Sequence, residues 1–181
     1  EYEEKGKIRR LVQTMRPTTL CFPVNARGQI LLGRKKRGFG VSKWNGFGGK
    51  IEKGETFRTC AIRELYEECH LTADEAALQL VAYLDFRFPA EPAYDHIGYV
   101  YLLHDWKGTV TASEEMEPRW FSLSSLPYGE MWKADVIWIP MILSGRTISG
   151  TIIFGDDNDS IAHTAFSDAP NLIEQTISYP F

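Results

Sequence analysis

The sequence predicts a single α+β domain in which helices pack against a mixed β-sheet. Its 181 residues are enough for one well-packed domain and too few for two large ones. Segments with strand-like composition outnumber the helical segments, and no internal repeat or low-complexity tract interrupts them. Hydrophobic residues make up 44% of the chain and charged residues 24%, close to the average of globular proteins, which argues against bulk disorder.

The first predicted elements are two strands and a helix. Residues 18–24 and 30–32 are apolar and strand-like, and Gly28 supplies the turn between them. Residues 38–50 are rich in glycine, which lets the backbone approach a ligand or a metal closely. A helical pattern follows over residues 56–70, so the glycine-rich loop leads directly into a helix.

The rest of the domain is predicted to contain further strands and one more helix. The second helix covers residues 134–144, and Pro140 should either kink it or lie near its first turn. Glycine, proline or aspartate turns separate the strands. The remaining strand-like segments are residues 80–88, 97–104, 119–122, 147–154 and 161–166.

Charge and hydropathy exclude two classes of partner. Twenty Lys and Arg against 24 Asp and Glu give a formal net charge of −4, whereas binding to duplex nucleic acid needs a basic surface. The longest apolar run, residues 136–143, is far shorter than the ~20 residues of a membrane-spanning helix. The three cysteines, Cys21, Cys60 and Cys69, lack the spacing of metal ligands. We therefore expect them to be ordinary small apolar residues of a protein in a reducing compartment.

The predicted helix after the glycine-rich loop carries a cluster of carboxylates. At 100° per residue, Glu64, Glu67 and Glu68 fall within an arc of about 100°. Three carboxylates alone are typical of a solvated helix face. The glycines upstream favour a second interpretation, because carboxylates beside exposed backbone carbonyls form an all-oxygen site for hard cations such as Mg²⁺ or Mn²⁺.

The residues around this cluster resemble the signature of the Nudix hydrolase family. That signature reads glycine, five residues, glutamate, seven residues, and then Arg-Glu-hydrophobic-x-Glu-Glu-x-Gly-hydrophobic. The sequence provides Gly49, Glu55, the segment 63–68 and Leu71 at these positions. The one departure is His70, in place of a glycine that ends the helix, and histidine tolerates a left-handed backbone better than most residues. The resemblance implies the Nudix fold, an α/β/α sandwich with a mixed sheet between helices.

Further segments resemble the branch of this family that hydrolyses oxidised purine nucleoside triphosphates, the MutT-type 8-oxo-dGTP diphosphatases. The resemblance covers residues 18–168, which we expect to form the domain, with residues 1–17 as an arm and 169–181 as a tail. It implies Mg²⁺-dependent hydrolysis of 8-oxo-dGTP, 2-hydroxy-dATP or a similar nucleotide to the monophosphate and pyrophosphate, which would cleanse the nucleotide pool. The segments that carry it are residues 35–40, 44–50, 114–116, 120–121 and 131–132.

The resemblance also implies a metal site. Mg²⁺, for which Mn²⁺ could substitute, would be held by Glu64, Glu67, Glu68 and Glu115 and by the backbone carbonyl of Gly48. One carboxylate must accept a proton from the attacking water, and Glu67, Glu68 and Glu115 all remain candidates for that role.

Basic residues are expected to support this site. Arg63 lies beside Glu67 on the helix and would orient the carboxylates as well as contact phosphate. Lys35 and Lys50 are candidates for phosphate binding, although single lysines are more often solvated surface charges. Glu55 either supports the loop or has a capping or solvated role.

The resemblance further implies a purine pocket. Asn45 would hydrogen-bond the purine edge, and Trp132 would stack on its face. Phe86 and Phe88 share a strand face, a spacing that is also typical of core residues. The other expected pocket residues are Thr19, Phe39 and Asp135.

One departure from this branch concerns the pocket. The branch has two adjacent aspartates shortly after the stacking tryptophan, whereas this chain has Ala134 and Asp135. A buried aspartic acid can stay neutral and donate a hydrogen bond, and two of them can adapt to different modified bases. We hypothesise that the loss of one narrows or shifts the choice of base while hydrolysis persists.

Two other functions stay open from the sequence. The chain could be a Nudix hydrolase of a dinucleoside polyphosphate, a capped RNA or ADP-ribose, although residues 44–45 and 131–132 argue against this. It could also be a catalytically silent nucleotide-binding module, although Glu64, Glu67 and Glu68 are intact. We expect a monomer that binds a small nucleotide but neither duplex nucleic acid nor a membrane, in the cytoplasm or in a mitochondrial or nuclear pool.

Overall fold

The computed structural model describes residues 15–176 of the chain. Most of the predicted N-terminal arm, residues 1–14, lies outside the described residues, as does the end of the predicted tail, residues 177–181. The described part contains two sheets, two α-helices and three short 3₁₀ helices.

The larger sheet is mixed and has five strands in the order β1-β5-β4-β7-β8. Strand β1 pairs with β5 and β4 pairs with β7 in parallel, whereas the β4–β5 and β7–β8 pairs are antiparallel. The central strands therefore have both faces available for packing. The strands are β1 Arg16–Pro23, β4 Leu78–Arg87, β5 His96–Leu103, β7 Ile148–Phe154 and β8 Ile161–Asp168.

The smaller sheet is antiparallel, in the order β3-β2-β6. Its strands are β2 Gln29–Lys35, β3 Trp44–Asn45 and β6 Met116–Ser122. Gly28 lies at the predicted turn with a φ of 72°. The two strands that flank this turn are present but belong to different sheets, because β1 pairs with β5 along its length and β2 pairs with β6.

Helix α1, Phe57–Cys69, matches the predicted helix closely. It begins at Thr56, whose hydroxyl accepts a hydrogen bond from the N–H of Thr59 at 3.1 Å. It ends at His70, which has a φ of 64° and donates its backbone N–H to the carbonyl of Tyr66. The histidine therefore takes the left-handed conformation that a glycine would otherwise supply.

Helix α2, Asp135–Leu143, confirms the second predicted helix. Pro140 lies in its interior, so the prediction that it lies near the first turn is wrong. Within residues 15–176, no helix is both long enough and apolar enough to cross a membrane. The 3₁₀ helices are Glu75–Ala77, Pro92–Tyr94 and Tyr128–Glu130.

The two helices cover opposite faces of the larger sheet. Leu65 of α1 belongs to the same buried cluster as Tyr99 and Tyr101 of β5. Trp138 of α2 lies in a second cluster with Val100, whose side chain points to the other face of β5. The α+β class and the α/β/α sandwich are thus confirmed, with the difference that the strands form two sheets instead of one. The three cysteines are free and buried, as predicted: Cys21, Cys60 and Cys69.

Candidate active site

A cavity of about 490 Å³ opens beside helix α2. Both sheets, the glycine-rich loop and the first residues of α2 contribute to its walls. Every residue that the sequence predicts for a purine pocket lines this cavity, together with four residues of the predicted metal and phosphate site. These residues are Thr19, Phe39, Asn45, Phe86, Phe88, Trp132 and Asp135, with Lys35, Gly48, Lys50 and Glu68.

Aromatic rings form much of the cavity wall. The rings of Phe39 and Trp132 have centroids 5.0 Å apart and an interplanar angle of 32°. Phe88 stacks on Phe154 with centroids 4.3 Å apart and an angle of 8°. Phe88 also belongs to the buried core cluster, so its side chain lies both in the core and at the cavity wall. Flat, rigid walls of this kind suit a planar base.

Two polar side chains of the cavity wall have groups left for a ligand. The Oδ1 of Asn45 accepts a hydrogen bond from the backbone N–H of Gly46 at 2.8 Å, which leaves its amide nitrogen to donate. The Oδ1 of Asp135 accepts from Trp138 Nε1 at 3.1 Å, whereas its Oδ2 is buried without a hydrogen-bond partner in the described residues. Burial raises the pKa of Asp135 to about 7, so its carboxyl can be neutral near physiological pH.

The glycine-rich loop reaches the cavity floor because two of its residues have no side chain. A Cβ on Gly48 would lie 1.8 Å from the carbonyl oxygen of Thr19. A Cβ on Gly49 would lie 2.4 Å from Oε1 of Glu64. Backbone atoms of β1 therefore require glycine at position 48, whereas a side chain at position 49 would displace the carboxylate of Glu64.

Two carboxylates of helix α1 lie beside this loop, with Glu68 buried and Glu64 partly buried. Glu68 is 7% exposed, and its Oε1 accepts a hydrogen bond from the N–H of Gly48 at 2.8 Å. Burial raises the pKa of Glu68 to about 8, and the negative charge of Glu64 adds to the effect. Burial also raises the pKa of Glu64. Two carboxyl groups whose pKa values are raised by burial fit a hard divalent cation, which would stabilise their ionised forms.

Arg63 forms hydrogen bonds with several carboxylates at this site. Its guanidinium donates to Glu55 at 3.0 Å, to Glu64 at 2.9 Å and to Glu67 at 3.1 Å. Glu55 in turn accepts the backbone N–H of Glu52 at 2.9 Å, which places it as a support of the loop. Arg63 therefore lies where it can orient the acidic face of the helix.

The remaining predicted ligands lie farther out and are paired with arginines. Glu67 is about half exposed and contacts Arg63. Glu115 accepts a hydrogen bond from Arg37 Nε at 2.9 Å. Among residues 15–176, no three His, Cys, Asp or Glu side chains converge closely enough to enclose a metal. Of the predicted carboxylate ligands, Glu64 and Glu68 thus lie beside the loop. The roles of Glu67 and Glu115 stay predictions.

The sequence did not indicate several residues of the cavity wall, among them Lys43, Tyr94, His96 and Phe154. Lys43 Nζ lies 4.9 Å from the Trp132 ring centroid and 3.0 Å from Asp159 Oδ1, which is 116 residues away in sequence. No local pattern indicates such a contact. His96 could have been found, because it shares a strand face with Gly98 and Val100, both of which line the cavity.

Comparisons with known proteins agree with this geometry. The family described as NUDIX domain matches residues 14–141. The chain is 38% identical over 136 residues to the oxidized purine nucleoside triphosphate hydrolases of Mus musculus and Danio rerio, a match that covers 75% of this chain and 85% of each relative. A solved MutT protein from Bacillus halodurans aligns with a TM-score of 0.72 at 22% identity, over 84% of this chain and 97% of that one, and so shares its fold.

Proposed function

The chain belongs to the NUDIX domain family, and from this premise we propose that it hydrolyses oxidised purine nucleoside triphosphates with Mg²⁺ as the metal. The products would be the nucleoside monophosphate and pyrophosphate. Two relatives that are 38% identical to it over 136 residues are named for this substrate class. The observation that carries the proposal is the buried Oδ2 of Asp135, which lacks a protein partner in the described residues and lines an aromatic cavity.

The cavity supports recognition of a purine edge by complementary hydrogen bonds. Because its pKa lies near 7, Asp135 can donate through a protonated oxygen or accept through an ionised one. The free amide nitrogen of Asn45 supplies a donor. A buried carboxyl group without a partner is costly, so a base that completes its hydrogen bonds binds with a large advantage over one that does not.

The carboxylates beside the loop support the metal-dependent part of the proposal. Nudix hydrolases generally use divalent metal ions, and the donor set of Glu64 and Glu68 consists of oxygens only, as Mg²⁺ prefers. The bound ion would neutralise phosphate charge and lower the pKa of a coordinated water. Arg63 holds Glu64 in place, and the hydrogen bond from Gly48 fixes Glu68.

Two lysines support the binding of a triphosphate at the same cavity. Lys35 and Lys50 line the wall that also contains Glu68. Their ammonium groups can offset the charge of phosphate oxygens that leave the aromatic part of the cavity. The proton acceptor for the attacking water stays open among Glu67, Glu68 and Glu115, since each lies on or near the acidic face of α1.

A substrate panel tests this proposal. We would incubate the protein with Mg²⁺ and 8-oxo-dGTP, 2-hydroxy-dATP, dGTP, ADP-ribose, a dinucleoside tetraphosphate or a capped RNA, and separate the products by chromatography. We expect a monophosphate and pyrophosphate from at least one modified purine, and no turnover in the presence of a chelator. Turnover confined to the last three compounds would place the enzyme in another Nudix class. Binding of a nucleotide without any turnover would favour a silent module.

A further inference from the structure

We propose that His96 is a further specificity-determining residue, whose Nε2 accepts a hydrogen bond from the N7–H of an 8-oxopurine. This inference rests on the proposed function and deepens it, because it names the chemical feature of the base that the site selects. It concerns a side chain at the start of β5 that faces the same cavity as Asp135 and Trp132.

The position of His96 directs its ring into the cavity. Side chains alternate along a strand, so His96, Gly98 and Val100 lie on one face of β5. All three line the cavity, whereas Tyr99 packs on the opposite side in the cluster of helix α1. Gly98 presents no side chain, and the hydroxyl oxygen of Thr18 would lie 3.1 Å from a Cβ at this position.

Stacking fixes the plane of the imidazole. The His96 ring lies against Phe86 with centroids 4.6 Å apart and an interplanar angle of 19°. It is also nearly parallel to Phe88, at 6.2 Å and 20°. A ring that stacks on Phe86 keeps its nitrogen atoms in a constant direction, which is what a recognition group requires.

A hydrogen bond to the backbone fixes the tautomer. Nδ1 of His96 lies 2.7 Å from the carbonyl oxygen of Tyr94. A carbonyl oxygen can only accept, so Nδ1 carries the hydrogen, and in the neutral ring Nε2 must present a lone pair. Within the described residues the imidazole makes only this hydrogen bond, so Nε2 remains available to a ligand.

The surroundings of His96 keep the ring neutral. Burial lowers its pKa, and the positive charge of Arg16 lowers it further, while the bond to Tyr94 and the charges of Asp95 and Asp85 act in the opposite direction. The imidazole is then uncharged at neutral pH and acts at Nε2 as a hydrogen-bond acceptor only.

A fixed acceptor can separate oxidised from ordinary purines. Oxidation at C8 creates a C8 carbonyl and places a hydrogen on N7, which turns N7 from an acceptor into a donor. An 8-oxopurine can thus donate N7–H to Nε2, whereas the N7 lone pair of an ordinary purine would face the Nε2 lone pair. A 2-hydroxyadenine base keeps an unprotonated N7. His96 therefore favours 8-oxopurines over both alternatives.

The test compares two nucleotides on matched variants. His96→Phe keeps a flat ring beside Phe86 and removes Nε2. The control is His163→Phe, on the exposed strand β8. Binding of 8-oxo-dGMP and dGMP is measured by calorimetry with a chelator present. We expect His96→Phe to weaken the binding of 8-oxo-dGMP about tenfold and to leave the binding of dGMP unchanged or slightly tighter. The control should change neither affinity.

A ligand-side test does not depend on how the variant folds. The wild-type protein should bind 8-oxo-7-deaza-dGMP, which has a CH₂ group in place of N7–H, about tenfold more weakly than 8-oxo-dGMP. Equal affinities for these two ligands, or an equal loss of both nucleotides in His96→Phe, would overturn the role of His96 and leave the proposed function standing. A wild-type protein that neither binds nor hydrolyses any modified purine nucleotide would overturn both.

Discussion

Oε1 of Glu68 accepts a hydrogen bond from the backbone N–H of Gly48, with the two atoms 2.8 Å apart. This contact joins helix α1 to the glycine-rich loop across 20 residues of sequence. It exists because the loop can approach both the helix and strand β1, which the absence of a side chain at Gly48 permits. The loop and the acidic helix thus form one structural unit at the floor of the cavity.

Gly48→Ala should damage this unit. The added Cβ would lie 1.8 Å from the carbonyl oxygen of Thr19, and backbone atoms cannot move aside cheaply. We expect a loss of at least about 2 kcal/mol in the free energy of unfolding, together with loss of hydrolysis. Gly129→Ala is the control, because nothing lies within 4 Å of its added Cβ. Equal stability of the two variants in urea denaturation would contradict this description of the loop.

Asp135→Asn should alter how stability depends on pH. Burial raises the pKa of Asp135 to about 7 in the folded state, above its ordinary value of 3.8. Between these two values the folded state binds more protons than the unfolded state, so the stabilising contribution of Asp135 falls as pH rises through 7. The neutral asparagine avoids this loss.

The expected result is a variant that gains stability relative to wild type by up to about 1.4 kcal/mol per pH unit from pH 4 to pH 7 and stays level above that. Urea denaturation at several pH values measures the difference. Asp105→Asn, at an exposed position, serves as the control and should follow the wild-type curve. Parallel curves for Asp135→Asn and wild type would show that the carboxyl group is not perturbed in the folded protein.

Asp159→Asn should weaken substrate binding and leave the chemical step intact. Asp159 holds Lys43 at 3.0 Å, and Lys43 lies over the ring of Trp132. Loss of this ion pair frees the lysine and loosens the stacking residue, so we expect KM for 8-oxo-dGTP to rise about three- to fivefold with kcat unchanged. The control Asp168→Asn removes a more exposed ion pair, between the last residue of β8 and Arg146. A fall in kcat, or equal effects of the two substitutions, would refute the bracing role of Asp159.

Local features of the fold were predictable because they depend on neighbours in sequence. Helix α1 follows from its periodic pattern and its Thr56 cap, and its end at His70 follows from the left-handed backbone that a signature glycine would adopt. The burial of Leu65 and the acidic face with Glu64 and Glu68 follow from the same 3.6-residue period. These elements carry most of the predicted metal site.

Contacts between distant segments were not predictable. The sequence predicts two consecutive strands around Gly28. In the structure they belong to different sheets, because β1 pairs along its length with β5 and β2 pairs with β6. Lys43 forms a hydrogen bond with Asp159, and Arg37 forms one with Glu115. Both pairs are too far apart in sequence for a periodic pattern to predict them. The tail offers another case, since Glu174 contacts Arg58 and the hydroxyl group of Tyr101. Such polar contacts depend on the folded structure and not on neighbours in sequence.

Ala134→Asp should broaden the range of bases that the enzyme accepts. Ala134 is 1% exposed and lines the cavity directly before Asp135, so the new carboxyl group would add a second titratable partner for the base. We expect the rate for 2-hydroxy-dATP to rise about tenfold relative to that for 8-oxo-dGTP. Lys133→Asp places the same group at an exposed neighbour and should not change the ratio. If the relative rates of Ala134→Asp equal those of wild type, the residue at position 134 does not determine the choice of base.

The most direct measurement is kcat/KM for 8-oxo-dGTP and dGTP with Mg²⁺, followed by pyrophosphate release in wild type, Glu68→Gln and Glu117→Gln. Glu117 is exposed on β6 and controls for the loss of a surface carboxylate. The structure predicts a clear preference for 8-oxo-dGTP, a loss of at least about 100-fold in Glu68→Gln and little change in Glu117→Gln. Equal rates for the two nucleotides, or full activity in Glu68→Gln, would contradict the assignment of this cavity and its acidic helix to oxidised purine triphosphates.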